Sequence, residues 1–430
     1  MSASIVPVWV FLLSLLLAPQ LWWQPMLDWR VDFFVYPFWL LVLILSGRVR
    51  EVFRFQAQDW FFLAWLFWIL VSMLVNGWND VSGDQTFRHV RYLVIYRFLV
   101  ATIKDERDLR RVSFAVLTCA LLLAVEGIQH MHSSDGKGWA GQTFGWIDEA
   151  AAQIGLGARI QWVGIFDGPG VFCTVFTAAL PFAIKYAVAP YSYSLFARIV
   201  PLSLLVGPLL AASYYTGSRG GLLASAAVVG AFVVSRFRIQ VKQLMVFAVI
   251  GSVLFLSAPS YLTASKDASK SAQNRVKMWN KGYEMVQENP AFGVGKGNFA
   301  RESGLLVAHN SGLEVMAELG FPGFFAWLGL IYFGFKVVIV RIKELDASDT
   351  THARERQTLI ALVISLIGYL VSSLFVTLET DIQYFLLGMC AAVARWSKVK
   401  VALSRRDLGF IGLIMFVYFA ALKLFVMSYW

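Results

Sequence analysis

Apolar residues recur along this chain in runs as long as a bilayer is thick, with short polar stretches between them. A spanning helix needs roughly 16–25 such residues. Runs of that size fall near 5–23, 31–46, 58–76, 88–103, 112–130, 167–189, 195–213, 219–235, 243–259, 317–341, 357–378, 380–396 and 408–426. The pattern predicts an all-α, polytopic integral membrane protein of about 12–13 transmembrane helices. The 88–103 run is the most polar, because it carries Arg88, Arg91 and Arg97. No internal repeat and no low-complexity segment interrupts the series.

The polar stretches orient the helices. Arg48, Arg50 and Arg54 follow the second run, and Lys104, Arg107, Arg110 and Arg111 follow the fourth. Arg236, Arg238 and Lys242 follow the eighth, Arg341, Lys343, Arg354 and Arg356 the tenth, and Lys398, Lys400, Arg405 and Arg406 the twelfth. Basic short loops stay in the cytoplasm, so the N-terminus is expected there too. The long connections 131–166 and 260–316 then fall on the far side, the periplasm of a bacterial inner membrane. The run at 408–426 would carry the C-terminus to that side. Five regions result: N-terminal helices (1–130), a first periplasmic loop (131–166), helices carrying Arg219 (167–259), a large periplasmic loop with amphipathic helices (260–316), and C-terminal helices (317–430).

Composition agrees. Of 430 residues, 58% are hydrophobic and only 15% charged, against roughly 25% charged in soluble domains. Lipid must therefore solvate most of the surface. The formal charge of +10 is accounted for by the basic loops rather than by nucleic-acid binding. Cys119, Cys173 and Cys390 all lie inside apolar runs, without disulfide or zinc spacing. The first run has no basic leader and no A-x-A site, so it reads as a retained anchor.

Candidate chemistry sits in the far-side segments. In AHNSGLEVMAELGFPG, residues 308–323, Ser311 and Glu314 fit a capping box. His309 is then expected just outside a helix N-terminus, either as a cap or as a reactive group. In SYYTGSRGGLL, residues 213–223, Ser218 suits a cap and leaves Arg219 in the first turn of the next helix. A cation there opposes the helix dipole unless an anion binds. In 271–290, Val276, Trp279, Tyr283 and Val286 describe an amphipathic interfacial helix, with Arg275 and Trp279 on one face. GVGKGN, residues 293–298, lacks both a P-loop's Lys-Ser/Thr and a dinucleotide fingerprint, and reads as turns. His130 and His132 lack carboxylate or thiolate partners for a metal, and Glu379 and Asp381 sit in a short turn. No D-x-D occurs.

Together these segments resemble the O-antigen ligase and polymerase superfamily of membrane glycosyltransferases. The resemblance rests on HN-x-x-L-E-x-x-x-E-x-G from His309 to Gly320, S-R-G-G at 218–221, R-x-x-x-W…N-P-x-x-G-x-G-x-G-N-F from Arg275 to Phe299, and G-I-F-D-G-P-G-V-F at 164–172. It covers roughly residues 160–340. The extra run at 408–426 departs from the family's usual twelve spans with both ends cytoplasmic.

What the resemblance implies is transfer of a glycan from undecaprenyl diphosphate to an acceptor hydroxyl at the periplasmic face. His309 would be the general base, and Arg219 and Arg275 would bind the diphosphate. Asn310, Glu314, Glu318, Arg88, Arg91 and Asp167 would support the site or face the acceptor. The reaction would invert the anomeric centre and need neither metal nor cofactor. A ligase using lipid A–core is favoured. The alternatives are a glycan polymerase, a protein O-oligosaccharyltransferase and, from another class, a lipid-linked glycan transporter.

Overall fold

The computed structural model describes residues 5–27, 29–133, 137–141, 145–146, 159–188, 195–237, 266–345, 350–397, 399 and 401–427. Six of its helices are long and apolar enough to cross a membrane: Ala57–Val75, Glu106–His132, Pro169–Ala187, Ser311–Glu344, His352–Ser373 and Arg405–Met427. Shorter apolar helices cover Val6–Leu21, Asp32–Leu45, Ile199–Tyr215 and Arg219–Ser235. The protein is thus all-α and polytopic. The expected run at 243–259 and half of the 131–166 connection lie outside the described residues. Of that connection, Gly145–Trp146 and Arg159–Ile160 pair as a short antiparallel ladder.

Arg97, deep in the helix Asp80–Thr102, illustrates how this core tolerates charge. Its guanidinium lies 2.5 Å from Asp59 Oδ1 and donates to the carbonyls of Val52 and Arg54 at 2.8 Å each. A buried cation persists in such a place only when paired and hydrogen-bonded. Around it, Phe62, Trp65, Tyr96 and Tyr384 form a buried aromatic layer, with the centroids of contacting rings 5.1–5.9 Å apart. Helix Ala57–Val75 packs against Ser311–Glu344, and Asp80–Thr102 against Asp381–Ser397. Helix Arg405–Met427 is different. Only 17% of its apolar window is buried, so it flanks the bundle and faces lipid.

The span expected from 317 begins earlier, at Ser311, and is broken at Gly320 (φ 65°, ψ −173°). Phe321 N–H turns away to the carbonyl of Pro290 at 2.8 Å. A Cβ at Gly320 would stand 2.4 Å from the Ala291 carbonyl oxygen, so both the dihedral and the space demand glycine. The break exposes the last carbonyls of the half-helix 311–319, which need partners. They find them. Val294 N–H binds Ala317 O at 3.0 Å, Gly295 N–H and Ser72 Oγ bind Glu318 O at 3.0 Å each, and Trp68 Nε1 binds Leu319 O at 2.9 Å. The 293–298 turns are thereby fixed as a cap on this half-helix.

Candidate functional site

Four segments meet around the N-terminal end of the half-helix: helix Asp80–Thr102, the stretch 165–171, residues 296–309 and the turn 376–380. They enclose a cleft of about 260 Å³, whose lining includes Asp167, His309, Glu314, Lys296, Glu379 and His89.

His309 takes a left-handed backbone (φ 51°), a conformation that costs a non-glycine residue energy and that clusters at functional positions. Its neighbours over-determine it. Ala308 N–H donates to Glu314 Oε2 at 2.9 Å, and Ala308 O accepts from Trp279 Nε1 at 3.0 Å. Thr377 Oγ1 donates to the same Glu314 oxygen at 2.7 Å. On the other side, Asn310 caps the helix: its Oδ1 accepts from Leu313 N–H at 3.2 Å and from Tyr418 Oη at 2.5 Å. This corrects the expected capping box. Ser311 is already helical and instead accepts from Leu378 N–H at 2.8 Å, while Glu314 reaches back beyond the cap to hold Ala308. An extended Asn310 (φ −157°) satisfies the end more directly than the serine.

The His309 imidazole is half-buried. Burial, and then the charge of Arg275, hold its pKa below the ordinary histidine value, with Asp167 pulling the other way. It is therefore neutral near pH 7 and able to accept a proton. Arg275, from helix Lys266–Glu288, is itself held below the ordinary arginine value by burial and by the neighbouring Arg219. Its Nε is buried without a hydrogen-bond partner. Ser218 accepts from Gly221 N–H at 3.1 Å and so caps the helix that Arg219 opens. That turn lies against the cleft wall: a Cβ at Gly170 would sit 3.1 Å from Val376 and 3.7 Å from Ser218 Oγ. Among the described residues, neither Arg219 nor Arg275 has a carboxylate partner. A third guanidinium approaches here. Arg159 Nε stands 3.1 Å from where a Cβ on Gly217 would be.

Below the histidine lies a buried ion cluster. Lys296 Nζ is 2.6 Å from Glu318 Oε2 and also contacts Glu379, with its side chain only 4% exposed. Burial alone would lower this ammonium, but Glu318 and Glu379 outweigh it and hold it above its ordinary range. Glu318 Oε1 also accepts from Phe299 N–H at 3.1 Å. The GVGKGN turns thus commit their lysine to two carboxylates. Their lysine anchors the floor of the cleft.

Of the residues expected at the site, His309, Asp167, Glu314, Glu318 and Arg88 line the cleft, and Arg219 and Arg275 stand beside it. Asn310 lies beneath as the cap. Arg91 does not join them: it is bound to Asp381 at 2.9 Å, with Asp32 at 3.8 Å. Sequence reasoning missed Lys296, His89 and Thr377. A lysine among glycines between two distant glutamates was the available signal for the first, and no local pattern marks the other two.

Residues 204–328 match the family model described as O-Antigen ligase. No curated protein matches the chain. The matched stretch contains Arg219, Arg275, Lys296, His309, Glu314 and Glu318. Members of that family are glycosyltransferase-like enzymes, whose partners are lipid-linked glycans and their acceptors. Within a polytopic membrane protein, the stretch 204–328 is thus similar to the O-antigen ligase family, and it is the stretch that carries the Arg219, Arg275 and His309 motifs.

Proposed function

We propose that this protein transfers a glycan from undecaprenyl diphosphate to an acceptor hydroxyl at the periplasmic face of the bacterial inner membrane, as an O-antigen ligase using lipid A–core. The observation that carries the reading is the pairing of two carboxylate-free arginines, Arg219 and Arg275, beside a histidine that burial keeps neutral. Like charges packed together and partly desolvated call for an anion between them. A diphosphate suits the bidentate guanidinium forks.

In this mechanism Arg219 and Arg275 hold the diphosphate and take up the charge that develops as the glycosidic oxygen departs. His309 accepts the proton of the acceptor hydroxyl, whose oxygen forms the new bond to the anomeric carbon from the opposite side. The configuration inverts. An apolar groove of about 650 Å³, lined by Gly312, Phe324, Trp327 and Tyr418, opens one turn from His309 and suits the isoprenoid chain.

The deciding experiment incubates the purified protein with an undecaprenyl-diphosphate glycan, with and without lipid A–core, and resolves the products by gel. A product that requires lipid A–core supports a ligase. A ladder of lengthened lipid-linked glycans without it would make the protein a polymerase, and no product at all would sink the reading.

Two further outcomes are expected. Arg219→Lys should lose most of its activity despite keeping its charge, because the fork is lost; wild-type rates would remove Arg219 from the diphosphate site. The acid limb of the kcat/KM profile should lie below the ordinary histidine pKa, since activity is lost as His309 protonates. Arg275→Gln removes a charge that depresses His309 and should move that limb to higher pH. Asp167→Asn removes one that raises it and should move the limb lower. A limb unmoved by either variant would mean that another group is titrating.

A further inference from the structure

The inner end of the cleft holds two hydrogen-bond acceptors with nothing to accept. His89, only 1% exposed, lines this end. Its Nδ1 lies 2.6 Å from the carbonyl oxygen of Gln85. A carbonyl cannot donate, so Nδ1 carries the proton and Nε2 presents a lone pair. That Nε2 is buried and has no partner. Glu379, on the facing turn, contacts Lys296 through Oε2, while its Oε1 is also buried and unpartnered. The turn does not drift, because Tyr92 Oη donates to Glu379 O at 2.7 Å. Buried acceptors are nearly always satisfied, and exceptions call for a missing donor.

We propose that His89 and Glu379 form a subsite that reads two hydroxyl groups of the acceptor sugar, one donating to each acceptor. Resting on the transferase reading above, it adds the part of the substrate that is recognised and the residues that recognise it. The chemistry of the ligand follows from the lining. An anion is disfavoured by the carboxylates of Glu314, Glu318 and Glu379, and a cation is already supplied by Lys296. Neutral groups that donate are what remain, and Phe299 offers an apolar wall for the ring that bears them. The acceptor rather than the donor is placed here by the geometry of inversion. Arg219 and Arg275 lie outside the cleft lining, whereas His309 belongs to it. The nucleophile must approach the anomeric carbon from the side away from the diphosphate while giving its proton to His309, and the cleft is the space on that side of the histidine.

The test uses the full-length protein in detergent and two probes. Delipidated core oligosaccharide alone is titrated by thermal shift, and lipid A–core is titrated in the transfer assay with saturating undecaprenyl-diphosphate glycan. His89→Phe keeps an aromatic ring and removes the lone pair. It is expected to weaken oligosaccharide binding and raise acceptor KM by about tenfold, the worth of one hydrogen bond, with kcat and donor KM near wild type. His89→Gln returns an acceptor oxygen and is expected to recover most of the loss. Unchanged acceptor KM and binding in His89→Phe overturn the proposal, and so do equal rises in donor and acceptor KM, which mark a structural role. If His89→Phe does not fold, His89→Leu, which also removes the lone pair, is read by the same two assays and decides. Oligosaccharide binding that depends on His89 without any transfer would leave the subsite standing and remove the transferase reading. Transfer without that dependence would do the reverse.

Discussion

Turnover in His309→Asn is expected to fall by about 10²–10⁴-fold, the contribution of a well-placed general base, with the thermal melt unchanged. Asparagine is the informative replacement. His309 holds φ 51°, and asparagine is among the few residues that visit the left-handed region readily. An alanine there would mix backbone strain with lost chemistry. The supports of the loop do not involve the imidazole: Glu314 and Trp279 both hold the backbone of Ala308, and Asn310 makes the cap. The variant therefore removes the base and little else. Initial rates on the lipid-linked donor measure it. Activity within a few-fold of wild type would place the proton acceptor elsewhere, with Glu314 the next carboxylate in the cleft.

The largest stability effect is expected at Lys296. Replacing it with methionine fills similar space but leaves Glu318 and Glu379 facing each other without a counter-charge. Breaking a buried pair from one side costs about 3–5 kcal/mol, since the remaining charge stays desolvated. The damage should spread along the backbone, because the turns carrying Lys296 also cap the half-helix through Val294 and Gly295. Unfolding in detergent micelles would show the loss as a lower midpoint. The triple variant Lys296→Met, Glu318→Gln, Glu379→Gln should regain part of it by removing both stranded charges. A single variant that melts like wild type would mean that water or a relocated side chain compensates the carboxylates.

The membrane helices were legible because a bilayer leaves few choices: backbone groups without water must be satisfied inside a helix, so apolar length translates directly into a span. His309 and Arg219 stood out in the sequence for a related reason, as charged or titratable groups at helix ends in a chain that avoids charge, and Arg275 as a cation on an amphipathic helix, which the structure begins earlier, at Lys266. Lys296 was not. Its meaning depends on Glu318, 22 residues later, and on Glu379, far beyond, and glycine-rich surroundings read locally as turns. His89 was hidden inside a run whose arginines drew attention, and its role depends on the missing partner of one nitrogen. Asn310 against Ser311 as the cap was decided by a single backbone dihedral. Arg88 and Arg91 shared a helix face in the sequence, yet Asp381 claims one of them and the cleft the other.

The break at Gly320 also divides labour mechanically. Below it, residues 321–344 make a rod of about 36 Å, able to span a bilayer with some tilt. Membranes differ in thickness by several Å, and helices meet the mismatch by leaning. In an unbroken helix that lean would swing Glu314 and the histidine loop through an arc. Here the upper segment is clamped to Ser72, Trp68 and the 293–295 turns, while the lower one bends at a residue without a side chain. The direction of the upper segment is thus set by those clamps rather than by the line of the rod below it, so one continuous stretch of sequence serves two differently aimed helices.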